Sequence, residues 1–401
     1  MIYFSGNNNF FEVKAVSVLL NRKEKKVEYI ELIYDLIFVY IIGRNNSLLH
    51  NISGGFVDGL TFINYIICTF AVIQMWTMTT YYINVYGRQS VRDHIMLFIN
   101  MFLMYFIGDA TRNDWQKYHT EYHVAWALIL INIALQYVIE YRHHKEDTEH
   151  KKRITRMSAV IFFEALIIIG SVFEFNKMGT SYLSVAAILI TILITAVSGK
   201  DNGEDVVDFS HLSERVMLYV VFTFGEMIIA ISEYFKGGFS FNSLYFCAMA
   251  FLIVVGLFLS YGVLYDHLLD REKRTNGIGY IIIHMFLIFA LNNVTAALEF
   301  MRIADVNLVA KILFISISIV LYYTCLMATR RYAKQNCKPS VSFILSAVII
   351  CLVFIGGMFV SRSQMIINIA ITVLFVFAVF FVLYYFSKAQ DKKINTYNKG
   401  E

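Results

Sequence analysis

One proline, Pro339, occurs in 401 residues, and it falls in a connecting segment. Proline-broken helices are therefore excluded, and any unwinding of a helix is expected at glycines such as Gly43, Gly108, Gly225 or Gly256. The five cysteines show no CxxC spacing: Cys68, Cys247, Cys325 and Cys351 lie in apolar runs and Cys337 in a basic loop. A zinc ribbon or disulfide framework is excluded on that pattern. Charge is scarce too. Asp, Glu, Lys and Arg make up 16% of the chain, hydrophobic residues 58%, and mean hydropathy is +0.59. That balance lies beyond an ordinary soluble domain. No G-x-S-x-G, H-E-x-x-H or G-x-x-x-x-G-K-[ST] occurs, so the usual hydrolases and ATP-driven transport lack support. The expectation is a membrane protein that is not an enzyme and carries no cofactor.

What is present is a series of long apolar runs. A membrane-crossing helix needs about 20 mostly apolar residues. Runs of that kind fall near 28–50, 60–86, 93–111, 121–141, 156–175, 180–198, 211–235, 241–266, 278–300, 306–328, 341–360 and 365–387. Basic residues gather in every second connection: Lys14, Arg22, Lys23, Lys25 and Lys26 at the start, then Arg142, Lys145, Lys151, Lys152 and Arg153. Arg271, Lys273 and Arg274, then Arg330, Arg331, Lys334 and Lys338, and finally Lys388, Lys392, Lys393 and Lys399 continue the series. Alternate connections hold only Lys177, Lys236, Arg302, Arg362, or Arg112 with Lys117. This bias places both termini in the cytoplasm and accounts for the net charge of +4 without a nucleic-acid partner. No cleavable signal peptide is expected, because the first apolar run is too long and too acidic.

The chain therefore reads as an all-α integral membrane protein of about twelve transmembrane helices in the cell membrane. A weak echo between runs one and two and runs seven and eight suggests two six-helix halves in parallel repeat. The divisions are a cytoplasmic tail 1–26, a first half 27–200, a cytoplasmic connector 201–210, a second half 211–388 and a cytoplasmic tail 389–401.

The first run carries Glu28, Glu31 and Asp35 within about 60° of one another on a helix. A carboxylate near a bilayer centre costs roughly 2.5–3.5 kcal/mol, so this acidic stripe needs a partner, a proton or a water-filled cavity. The seventh run supplies candidates. His211, Arg215, Glu226 and Glu233 share one face, while Glu214 lies about 100° away. Arg215 and Glu226 are about 16 Å apart along the axis and cannot pair with each other. The expected arrangement joins Arg215 to Glu31 or Asp35, with Glu226 deeper. Glu31, Asp35 and Glu226 are the candidate ion- or proton-binding groups, and His211, Glu214 and Arg215 their charge partners. The alternative is polar glue between helices.

Secondary candidates are Asp93, His94, Glu164 and His284. Asp93 and Glu140, like Glu174 and Glu299, lie close to helix ends and read as interfacial, as does Glu28; Asp109, Asn292 and Asn293 are further polar positions in apolar runs. His119 and His123 have the i, i+4 spacing of a metal pair, but no third ligand follows at a recognised offset, so no metal site is assigned.

Glu31-Leu32-Ile33-Tyr34-Asp35-Leu36-Ile37-Phe38-Val39 resembles the E-L-x-(F/Y)-D-L-x-F-V signature of the bacterial low-temperature-requirement A (LtrA) family. His211-x-x-Glu214-Arg215 followed by Gly225-Glu226, together with Trp76 and Arg92-Asp93-His94, reinforces the resemblance from about 27 to 385. Ile33 and Tyr34 stand where phenylalanines are more usual. The resemblance implies a multi-spanning membrane protein named for growth at low temperature. The working expectation is a proton- or cation-coupled transporter or ion-conducting protein acting on a small ion or solute. Its rivals are a lipid-handling or scaffold protein suited to anionic lipid at a basic face, and a membrane-embedded metal-dependent enzyme.

Overall fold

A computed structural model describes residues 25–111, 115–143, 147–198, 207–235, 238, 240–335 and 341–397. Residues 1–24 of the N-terminal tail, 201–206 of the connector and 398–401 lie outside the described residues. So do Arg112, His144, Lys145, Lys236, Cys337, Lys338 and Pro339.

Each expected apolar run is occupied by an α-helix. In chain order these are α1 Tyr29–Asn45, α2 Gly59–Tyr86, α3 Val91–Ala110, α4 Trp115–Tyr141, α5 Thr148–Met178 and α6 Tyr182–Ser198. They continue as α7 Phe209–Ile231, α8 Phe241–Val263, α9 Ile278–Phe300, α10 Leu308–Ala328, α11 Val341–Val360 and α12 Met365–Tyr397. Among the described residues, nine helices are long and apolar enough to cross a membrane, and α6 and α11 are shorter apolar helices. α1 is the exception: it has 17 residues and carries Glu31, Asp35 and Arg44.

One expectation is corrected. The first run does not continue as α-helix to 50: α1 stops at Asn45 and a 3₁₀ turn, Asn46–His50, follows. A hairpin of β1 Ile52–Ser53 and β2 Phe56–Val57 comes next, turning on Gly54 and Gly55 at φ 63° and 90°. Two successive positive φ values are what a two-residue primed turn requires, and glycine reaches them without strain. The helices run unbroken through Gly43, Gly108, Gly225 and Gly256. At Gly43 the missing Cβ serves close packing, since one built there would sit 2.5 Å from Glu226 Oε1.

Local chemistry sets the helix starts. Asp58 caps α2 by accepting from Leu60 N and Thr61 N, each at 3.1 Å. Ser90 and Asp93 form a reciprocal capping box at α3, which accounts for Asp93 structurally. Asp208 caps α7 by accepting from His211 N at 3.1 Å. α2 is the central helix. It is buried on nearly all sides from Tyr65 to Tyr86 and packs against α1, α4, α6, α7 and α9.

Candidate functional site

α1 and α7 pack against each other and begin at the same end of the bundle, and α2 ends there. The first two turns of α1 and α7 therefore face one another across α2. Asp35 lies about 9 Å along α1 from its first residue, at 1.5 Å per residue.

This brings four of the candidate residues together. Arg215 Nη2 donates to Asp35 Oδ1 at 2.5 Å, and Arg215 Nε lies 3.4 Å from Glu31 Oε2. His211 Nε2 lies 3.3 Å from the same Glu31 oxygen. All four side chains are buried, at 2% exposure or less. α2 contributes Trp76, whose Nε1 donates to Asp35 Oδ1 at 2.7 Å while its ring stacks on Tyr219 at 4.2 Å. Two donors thus converge on one Asp35 oxygen, and Oδ2 has no hydrogen-bond partner among the described residues.

Asn84 fixes the protonation pattern of His211. Asp208 N–H donates to Asn84 Oδ1 at 3.0 Å, which orients the amide, and Asn84 Nδ2 then donates to Asp208 O at 2.9 Å. The same Nδ2 lies 3.0 Å from His211 Nδ1, so Nδ1 accepts and the ring proton sits on Nε2, facing Glu31. Two carboxyl groups, Glu31 and Asp35, thus face one guanidinium within the buried contact set. The Lys25 ammonium donates to Ile83 O and to Gly87 O, the latter at 2.9 Å, closing the end of α2. Burial pushes Lys25 below the ordinary lysine range, and the charge of Glu31 opposes that shift.

A hydrogen-bonded chain leads sideways from the cluster. Tyr34, beside Asp35, donates to Thr79 Oγ1 at 2.9 Å and accepts from Asn100 Nδ2 at 3.4 Å. Asn132 Nδ2 donates to Asn100 Oδ1 at 2.7 Å. A second polar layer lies at the far end of α1. There Tyr65 donates to Asn293 Oδ1 at 2.6 Å, Asn292 Nδ2 donates to Asn46 Oδ1 at 3.0 Å, and His50 Nε2 lies 3.2 Å from Glu299 Oε2. Buried Phe38, Val39, Ile41 and Ile42 occupy the stretch of α1 between the layers.

The remaining candidates separate. Glu226 is half-buried, with its carboxyl against Gly43 near the second layer. Glu214 is exposed and is corrected as a charge partner: it sits on another face of α7 from His211 and Arg215. His94 pairs with Glu28 at 3.0 Å, and His284 Nδ1 contacts Tyr280 O at 2.9 Å inside the packing of α9. Glu140, expected at an interface, is wholly buried against Arg88 and Arg92 at 2.5 and 3.4 Å. His119 and His123 contact Ser181 and Ser184 at 3.0 and 2.9 Å, and among the described residues no group of three metal-ligating side chains occurs. Asn84, Asn100 and Asn132 were not singled out from the sequence, and Tyr34 only as part of the family signature. Their residue types are common in helices, and only the packing brings them to the acids.

The sequence profile described as Bacterial low temperature requirement A protein (LtrA) matches residues 26–390. The chain belongs to the LtrA family. Comparison with curated proteins and with solved structures found no match in either. The two stretches that carry the LtrA resemblance, Glu31 to Val39 and His211 to Arg215, are the ones that meet in the buried cluster.

Proposed function

We propose that this LtrA-family membrane protein moves protons or small cations across the cell membrane, with Glu31 and Asp35 as the exchange site. The observation that carries this reading is the charge count: two sealed carboxylates against one guanidinium, with an Asp35 oxygen left unpartnered. Such a site has room in its electrostatics for one more positive charge. Lys25, whose ammonium sits on the last carbonyls of α2, lies at the same end of the bundle, and an arriving proton or cation supplies the further charge. Arg215 and His211 hold the carboxylates in place, and Glu226 is the corresponding group near the second polar layer. The apolar stretch Phe38 to Ile42 between the layers fits an occluded state that must open alternately rather than a standing channel.

The arrangement in two six-helix halves with cytoplasmic termini belongs to the same proposal. It is supported by the pairings of α1 with α2 and α3, α3 with α4, and α5 with α6. These recur six helices later as α7 with α8 and α9, α9 with α10, and α11 with α12.

A second reading, lipid handling, is favoured by one feature. A groove of about 420 Å³ between α10, α11 and α12 is lined by Val320, Val348, Leu352 and Val379, with Arg330 at its end. Purified protein in liposomes under imposed pH and cation gradients tests the two. Ion movement above that of empty liposomes supports transport. Accelerated lipid scrambling without ion movement supports lipid handling and overturns transport.

A further inference from the structure

Glu164 is sealed on α5 at 1% exposure, but another acid of the apolar runs, the half-buried Asp109, opens onto a groove. The groove follows the seam between α1 and α3 and has a volume of about 390 Å³. α1 presents Ile37, Tyr40, Ile41 and Arg44 to it, spaced i, i+3, i+4 and i+7 on one helix face. α3 presents Met101, Met104, Tyr105 and Gly108 at the same spacing, with Asp109 beside them. Gly108 lets the two helices approach, since a Cβ there would lie 3.3 Å from Ile41 Cγ1.

Polarity is ordered along this groove. Arg44, in the last turn of α1, and Asp109, next to the last residue of α3, mark one end of it. Tyr40 and Tyr105 come one turn deeper, and both are exposed. Ile37 and Met101 lie two turns below the charges, about 10–12 Å at 1.5 Å per residue. Arg44 is exposed, and among the described residues its side chain makes one hydrogen bond, to the Tyr40 hydroxyl at 3.4 Å. A guanidinium has five N–H donors, so most remain for another partner. Charge, hydroxyl and aliphatic surface thus succeed one another in the order of a phospholipid's headgroup, glycerol esters and acyl chain.

We infer that the groove between α1 and α3 holds one phospholipid whose headgroup carries a primary ammonium beside its phosphate. The Arg44 fork takes the phosphate oxygens, and the Asp109 carboxylate accepts from the ammonium. Tyr40 and Tyr105 donate to the ester oxygens, and the first methylenes lie on Ile37, Ile41, Met101 and Met104. One charge of each sign selects among headgroups. A quaternary choline has no N–H to donate to Asp109. A glycerol headgroup brings no cation at all and sets the phosphate against the Asp109 carboxylate. The groove shares no residue with Glu31, Asp35, His211, Arg215 or Glu226, so the inference stands or falls apart from the transport reading above. It shares none with the groove between α10, α11 and α12 either.

The test is native mass spectrometry of the purified, delipidated full-length protein in detergent. It is mixed in turn with phosphatidylethanolamine, phosphatidylcholine and phosphatidylglycerol, all with dioleoyl chains. One phosphatidylethanolamine is retained about tenfold more tightly than either other lipid, the factor expected from one hydrogen bond between charged groups. Asp109→Asn removes that preference, and Arg44→Gln weakens retention of phosphatidylethanolamine and phosphatidylcholine alike. Both variants are first shown to elute as folded protein, and the wild-type comparison decides without them. Equal retention of the three lipids, tightest retention of either other lipid, or a preference unchanged in folded Asp109→Asn overturns the inference.

Discussion

Arg215 and Asp35 lie 180 positions apart in the chain, yet the guanidinium Nη2 and the carboxylate Oδ1 are 2.5 Å apart, with both side chains fully buried. The contact ties the first helix of each proposed half together. A buried pair of this kind is poor as pure stabilisation, because removing both charges from water costs several kcal/mol per ion. Its loss on one side alone is worse, since the surviving charge is stranded.

Arg215→Met is therefore expected to destabilise the protein by about 3–5 kcal/mol. Adding Asp35→Asn to it recovers part of the loss. A double-mutant cycle on thermal unfolding in detergent measures the coupling. Additive effects would mean that the two side chains do not interact.

Trp76→Phe keeps the ring stacked near Tyr219 but removes the N–H that Asp35 accepts. A hydrogen bond to a charged group contributes roughly 1.5–3 kcal/mol, and a loss in that range is expected. The same substitution at Trp126, whose Nε1 has no hydrogen-bond partner among the described residues, is expected to cost less. Unfolding midpoints of the two variants decide the matter.

Gly277 begins α9 at φ 71°, and a Cβ there would lie 2.5 Å from Leu212 Cδ2 and 3.1 Å from Val207 Cγ2. Gly277→Ala meets backbone strain of about 1–3 kcal/mol as well as overpacking. Gly179, with φ 68° and open space around it, separates the two effects. Gly179→Ala is expected to cost less, again read from thermal unfolding.

Outside the membrane-crossing helices, the Glu299 hydrogen bond raises His50 above the ordinary histidine value, with burial opposing. A raised folded-state pKa means that the pair stabilises fully below about pH 6.5 and that this contribution disappears as pH rises through the raised value. Half of the His50 side chain is exposed, which limits the effect to about 1 kcal/mol or less. Melting temperature followed across that pH window is expected to fall in the wild type and to fall less in His50→Gln.

Much of this was legible in the sequence, for physical reasons that also mark the limit. Uninterrupted apolar runs located the helices because backbone groups in hydrocarbon must be satisfied within the segment. The 100° periodicity placed Glu31 with Asp35 and His211 with Arg215, and set Glu214 on another face, where the structure has it exposed. Periodicity describes one helix at a time. It gave no sign that Asn84 would orient His211, that Trp76 would share an oxygen of Asp35 with Arg215, or that Gly43 would make space for Glu226. The hairpin at Gly54-Gly55, in the connection between the first two runs, went unread because two-residue strands leave no alternation to detect.

The measurement that bears most directly on the central claim is ion flux in liposomes for the wild type, Asp35→Asn and Glu31→Gln, each first shown to elute as folded protein by size exclusion. Asp35→Glu is carried as a variant that keeps the charge. The account expects the wild type to dissipate an imposed proton or cation gradient, Asp35→Asn and Glu31→Gln to lose that flux, and Asp35→Glu to retain part of it. Folded Asp35→Asn and Glu31→Gln proteins that move ions at the wild-type rate would contradict it.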